Sequence, residues 1–316
     1  MTEDTFNTLV ARLGRDYAER RISLEADLAD TGERGIRLFG FHVSPAAIRT
    51  SLKLAGLYQR GCRNAEDVRV QHNVIPTSVP TTFEQFTILQ LSDLHVDMNP
   101  GVISRLASLV PHLSYDLCVI TGDYRGKSFG PFEAALDGMA RICSFLKRPI
   151  YGVLGDHDTI YMVPGLENLG MRILLNESIR IPRGSHSIYL AGIDDARHLR
   201  EDDILKLASE IPGNAFSILL SHTPEIYRQA ALYFKLLLCG HTHGGQICLP
   251  GGFPLTLEAV LPRKMGAGPW SFQGMIGYTS AGTGSSVVPV RFNCPPEVTM
   301  HHFVASERPI PNLQDE

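Results

Sequence analysis

The chain reads as an α/β protein. Two features predict this. Short apolar runs that stop abruptly at Asp or His recur along it, and segments with helical spacing lie between the first of them. Such alternation argues for strands and helices that build a largely parallel sheet. In open sheets of this kind, ligands gather beyond the carboxyl ends of the strands. A hydrophobic content of 44% over 316 residues is enough for a full core, in one large domain or two small ones.

The chain divides near residue 85. Residues 1–85 read as a largely helical extension, 86–305 as the main domain and 306–316 as a tail. In the extension, Phe6, Leu9, Val10 and Leu13 recur at helical spacing. Pro45–Arg60 is a second helical segment, with Ile48, Leu52, Ala55 and Leu57 among Arg49, Lys53 and Arg60. Its apolar side packs on the main domain, or its basic side rests on anionic lipid. Pro76–Pro80 reads as an extended connector.

The main domain begins with the strand Thr87–Leu91, followed by Ser92-Asp93-Leu94-His95. Leu106–Leu113 reads as the next helix. Leu117–Ile120 then runs into Thr121-Gly122-Asp123. Pro131–Lys147 is another helix. Ile150–Leu154 leads to Gly155-Asp156-His157-Asp158, and Phe216–Leu220 to Ser221-His222. Leu236–Cys239 ends at Gly240-His241-Thr242-His243-Gly244-Gly245. Five strand ends thus bring three carboxylates and four imidazoles to one edge.

That set suits two divalent cations. Mixed His and carboxylate ligation fits Zn, Mn or Fe better than Ca or Mg. Any one of these residues alone would be a cap or a satisfied polar group. The order of all of them is the signal.

The order D-x-H, G-D, G-(N/D)-H-(D/E), H, G-H-x-H resembles the calcineurin-like metallophosphoesterase family, from about Phe86 to about Phe303. The resemblance implies a four-layer fold, two packed mixed β-sheets flanked by helices. It implies that Asp93, His95 and His243 ligate one metal, that Asp123 bridges, and that Asp156, His222 and His241 ligate the other. His157 resembles the family's substrate-contacting acid, with Asp158 orienting its ring. A hydroxide between the metals would attack a phosphoester or pyrophosphate, with no Ser or Cys nucleophile. At Asp156 the family pattern has Asn. Such departures also mark weakly active or non-catalytic scaffold members, which is the alternative reading.

The segment Gly122-Asp123-Tyr124-Arg125-Gly126-Lys127-Ser128 imitates a nucleotide-binding P-loop. That motif needs four residues between its glycines, and here there are three. Arg125 and Lys127 remain candidates for contact with a substrate phosphate. Asp97 and Asp194-Asp195 read as turn or capping residues.

Similar blocks to Gln246–Gly251, Ala281–Gly284 and Pro289–Arg291 occur in membrane-associated bacterial phosphoesterases. Some of these cleave the pyrophosphate of a UDP-diacylglucosamine lipid precursor. The implied substrate is a phosphorylated small molecule or lipid. A formal charge of −4 gives no case for nucleic acid. Six scattered cysteines without CxxC spacing suit a reducing compartment. With no signal-like or membrane-spanning run, a cytoplasmic place is expected, or one peripheral to the inner face of the membrane.

Overall fold

The structure, a computed structural model, describes residues 3–30, 36–38, 41–77 and 79–305. The tail 306–316 lies outside these residues. Two six-stranded mixed sheets pack face to face. In chain order their strands are β1 (Arg69–Thr77), β2 (Thr87–Leu91), β3 (Leu117–Ile120), β4 (Ile150–Gly152), β5 (Met171–Ile173) and β6 (Glu177–Arg183). Then come β7 (His186–Gly192), β8 (Ser217–Leu220), β9 (Leu236–Cys239), β10 (Gly268–Phe272), β11 (Met275–Thr279) and β12 (Glu297–Ala305). The first sheet has the order β1-β12-β2-β3-β4-β5, and the second β10-β11-β9-β8-β7-β6.

Strands β2 to β5 are mutually parallel, as are β7, β8, β9 and β11. Central parallel strands are buried on both faces, so they read as unbroken apolar runs. Strand β2 shows how the layers are assigned. Ile88 packs between the sheets with Leu117, Ile218 and Leu236. Leu89 and Leu91 point the other way, to Leu106, Met139 and Ile142. Those come from helices α5 (Pro100–Leu109) and α6 (Glu133–Cys143). On the far side of the second sheet, Leu207 and Ala230 come from α7 (Ile204–Glu210) and α8 (Tyr227–Ala230). The order helix, sheet, sheet, helix is the four-layer arrangement that the sequence resemblance implied.

The first two helices, α1 (Glu3–Leu13) and α2 (Arg15–Asp30), lie against the first sheet and bury Leu9 and Ala18 there. Arg12 donates to the carbonyl of Ile173 at 3.0 Å and pairs with Glu177 and Glu167. The segment expected as one helix over Pro45–Arg60 is two, α3 (Pro45–Leu54) and α4 (Tyr58–Glu66). Gly56, at φ 69°, breaks it. Helix α5 starts at Pro100, ahead of the expected Leu106, because Asn99 caps it and proline suits its first turn. The expected connector at Pro76 is the end of β1, which pairs with β12 from Arg69↔Glu297 to Thr77↔Ala305. The chain division near residue 85 therefore falls after a strand of the first sheet. Among the described residues no helix is long and apolar enough to cross a membrane.

Candidate metal centre

The carboxyl ends of β2, β3, β4, β8 and β9 all open on one edge, and seven side chains converge there. Asp93, His95, Asp123 and His243 form one group, and Asp156, His222 and His241 another. Within each group the ligand atoms lie within 4.8 Å of one another. Asp123 touches both. Its Oδ2 is 3.5 Å from His95 Nε2 and 3.5 Å from His222 Nε2.

The backbone is strained to achieve this. Asp93, His95, Asp123, His241 and His243 all have positive φ, between 40° and 72°. For residues other than glycine such conformations cost about 1–3 kcal/mol and persist only where surrounding contacts enforce them. Here the loops tie one another. Asp93 N donates to Gly122 O, His95 N to Asp123 O, and Gly284 N to Asp93 O, at 2.9–3.0 Å. Gly240 is required as well. A Cβ there would lie 1.9 Å from Ser92 Oγ and 2.3 Å from Asp93 Oδ2. Its absence lets His241 N donate to the Asp93 carboxylate at 3.0 Å.

The ring orientations call for cations. His95 Nδ1 donates to Arg125 O at 2.7 Å, and His222 Nδ1 to Thr121 O at 2.8 Å. A carbonyl only accepts, so each ring keeps a proton on Nδ1 and turns Nε2 inward. For His222, Nε2 faces Asp156 Oδ1 at 2.8 Å. Burial opposes it, but Asp123 and Asp156 hold the His222 pKa well above its usual value, so a proton lies where a cation would sit. The other two imidazoles have guanidinium neighbours. Arg291 Nη2 lies 3.2 Å from His243 Nδ1, and Arg197 sits against His241 Nε2. An arginine only donates, so these ring nitrogens face it as acceptors. The opposite nitrogens, His243 Nε2 and His241 Nδ1, face the site. The donor set therefore fits two metal ions.

The electrostatics agree. Burial, opposed by His222 and reinforced by Asp156, Asp158 and Asp93, pushes the Asp123 carboxyl well above the usual range. Burial acts the same way on Asp156, yet His241, His198 and His222 hold it well below. Burial also pushes His95 and His243 well down, toward the neutral form that ligates metals.

Two expectations are corrected. Asp158 does not orient His157. Its oxygens accept from the backbone N–H groups of Asp123, Tyr124 and Gly155 at 2.8–2.9 Å, which clamps two site loops together. The His157 ring has Ser128 Oγ near Nδ1, at 3.3 Å, and stands edge-on to His95. Arg125 does not face substrate. It is buried, and its guanidinium donates to the carbonyls of His157, Gly130 and Ser128 at 2.5–3.0 Å. Lys127 is exposed on the same loop. Asp97 is a turn residue, accepting from Gly126 N at 2.7 Å. Asp195 caps the turn 197–199 through three N–H groups.

Arg197, His198 and Arg291 were missed as site residues. His198 Nε2 lies 3.5 Å from Asp156 Oδ2. The available signal was Asp194-Asp195, a further strand end, after β7. Arg291 is wholly buried and donates to the carbonyls of Gly282 and Gly284, which brace His243. A single arginine in a loop gives no sequence cue of that kind.

Two packed sheets with paired His and Asp clusters at their strand ends define a protein built to hold two metal ions. Residues 86–245 match the calcineurin-like phosphoesterase family, and the chain belongs to that family. It is 31% identical to the phosphodiesterase YaeI of Escherichia coli, over 69% of this chain and 82% of that protein. It is 28% identical to the uncharacterized metallophosphoesterase YkoQ of Bacillus subtilis, over 76% of this chain and 92% of that protein. A transmembrane protein with a metallophosphoesterase domain from Danio rerio is 30% identical over 70% of this chain, but over only 54% of its own length. Membership and site together make this chain a metal-dependent phosphoesterase.

Proposed function

We propose that the chain hydrolyses a phosphodiester or pyrophosphate P–O bond with two divalent ions drawn from Mn, Fe and Zn. Asp93, His95 and His243 would hold one, Asp156, His222 and His241 the other, with Asp123 between. The observation that carries this is the equal 3.5 Å spacing of Asp123 Oδ2 from His95 and His222, one from each group. The name of the phosphodiesterase relative supports the diester as the first substrate to try.

When bound, the ions supply Lewis acidity for the phosphoryl group and for water. The chain's own residues supply position and a proton. Asp158 locks the loops of Asp123 and Asp156, which fixes the distance between the two groups. His157 is partly exposed beside His95, with its backbone N–H donating to Asp123 Oδ1 at 3.0 Å. In this reading its ring protonates the leaving oxygen. Ser128 Oγ steadies the ring from the other side.

Elemental analysis and turnover test this together. The chain should hold two ions and hydrolyse bis(p-nitrophenyl) phosphate with Mn²⁺, and chelation should stop it. Asp123→Asn should lose at least one ion and about 10²-fold or more of the rate, the scale of one removed electrostatic contact in a transition state. Full metal content with near-normal turnover in that variant would overturn the bridging role.

A further inference from the structure

Helix α2 is more than a cover for the first sheet. Its inner face looks across a cavity of about 280 Å³ whose floor is Gly155 and Asp156. Ile22, Ala26 and Ala29 line one wall, and Phe129, Phe132 and Tyr161 the other. Resting on the phosphoesterase reading above, we propose that this cavity is the substrate subsite beside the Asp156 metal position. It takes an uncharged apolar group, about one aromatic ring in size, carried on the phosphorus.

The chemistry of the walls carries the class of ligand. Every charged side chain around the cavity already has partners, and Asp156 has His222, His241 and His198. Arg21 pairs with Asp194 and Glu25. Glu25 also accepts from Thr159 Oγ1 at 2.5 Å and Ile160 N at 2.7 Å. Arg125 is held by three carbonyls, while Asp158 and Asp195 accept from backbone N–H groups. These groups are engaged with the protein, so a sugar or a second charge would give up its water for little return. An apolar group gains by entering.

Size narrows the class. An apolar cavity of about 150 Å³ admits benzene. The volume here suits one substituted ring. The wall is also preformed. The Arg21 ion pair with Asp194 and the Glu25 contacts to Thr159 and Ile160 pin α2 to two loops of the site. A rigid wall makes a selective subsite.

The test uses the metal-loaded full chain and two diesters with one leaving group, phenyl p-nitrophenyl phosphate and methyl p-nitrophenyl phosphate. The phenyl ester should have the higher kcat/KM by about tenfold or more, the lower end of what an apolar group contributes in a pocket. The difference should lie mainly in KM. Ala26→Trp fills the cavity from an exposed helix position, so it should bring the phenyl-to-methyl ratio toward one. Phe129→Ala should lower the same ratio by removing the opposite wall. Phenylphosphonate should stabilise the loaded chain in thermal melts more than methylphosphonate does, and Ala26→Trp should erase that margin. A ratio near one in the unsubstituted chain, or a ratio unmoved by both substitutions, overturns the subsite while leaving the phosphoesterase reading intact. If neither ester is hydrolysed with metal, the phosphoesterase reading fails and the subsite fails with it.

Discussion

Arg21 and Asp194 form an ion pair with no side-chain exposure on either partner. Arg21 Nε donates to Asp194 Oδ2 at 2.8 Å and Nη2 to Oδ1 at 3.3 Å. The pair joins α2 to the loop after β7, and that same loop carries Arg197 and His198 to the metal site.

Removing one partner should be costly. Arg21→Met leaves the Asp194 carboxylate buried, with Tyr17 as its side-chain donor. The expected loss is about 3–5 kcal/mol of unfolding free energy. Arg21→Met combined with Asp194→Asn should recover a large part of it, because the wholly buried carboxylate is then gone and Glu25 keeps its donors from Thr159 and Ile160. Urea unfolding of the three proteins decides. Equal midpoints for the single variant and the unsubstituted chain would show that the pair contributes nothing.

His157 should matter to turnover and not to metal. His157→Ala is expected to lower kcat by about 10²–10⁴-fold, the usual range for general acid catalysis. Metal content should stay at the unsubstituted level. Metal loss in that variant would make His157 a ligand and refute the assignment.

Asp156 stands where the family pattern has Asn. Two divalent ions give a charge of +4, and the three carboxylates Asp93, Asp123 and Asp156 leave +1. Asp156→Asn raises this to +2 and restores an NH₂ donor. An anionic phosphate should then be held better. The expected gain in kcat/KM is roughly fivefold, from about 1 kcal/mol of Coulomb attraction at a solvent-like dielectric. Metal affinity should stay level or fall. Equal or lower kcat/KM in the Asn form would mean that the chemistry is built around the extra carboxylate.

His301 should make the fold acid-sensitive. It is wholly buried between Asn73 and Gln90, donating Nε2–H to Gln90 Oε1 at 2.8 Å. Burial, helped by neighbouring His302, pushes its pKa down to about 3. A depressed histidine contributes stability that is complete above its unfolded value, near 6.5, and is lost as pH falls toward the folded value. The slope is about 1.4 kcal/mol per pH unit. Between about pH 7 and about pH 5 this one group should remove about 2 kcal/mol. His301→Gln should flatten the pH dependence of the urea midpoint by that amount. An unchanged slope would show that His301 is free to take its proton in the folded chain.

Much of the site is legible in the order of residues alone. Leu117–Ile120 and Leu236–Cys239 are unbroken apolar runs because parallel central strands are buried on both faces. The first Asp or His after each run therefore marks the carboxyl edge of a sheet. Asp93, Asp123, Asp156, His222 and His241 stand out in that way. Strand β12 does not, since Thr299, His301 and His302 interrupt any apolar pattern. His301 is acceptable only because Asn73 and Gln90 meet it in the folded core, Thr299 bonds Glu297, and His302 meets His72 and Thr87.

Local pattern along the chain is enough for the class of fold, the edge where the site forms and the residue types gathered there. These follow from periodicity and from where apolar runs stop. Only folding settles what each polar atom meets. It turned Asp158 to the backbone, pointed Arg125 at three carbonyls, and set α2 on Asp194, far along the chain. Such choices depend on distances between segments that meet only after folding. A buried charge takes whichever partner the packed layers bring within about 3 Å, and no local pattern of residues encodes that meeting.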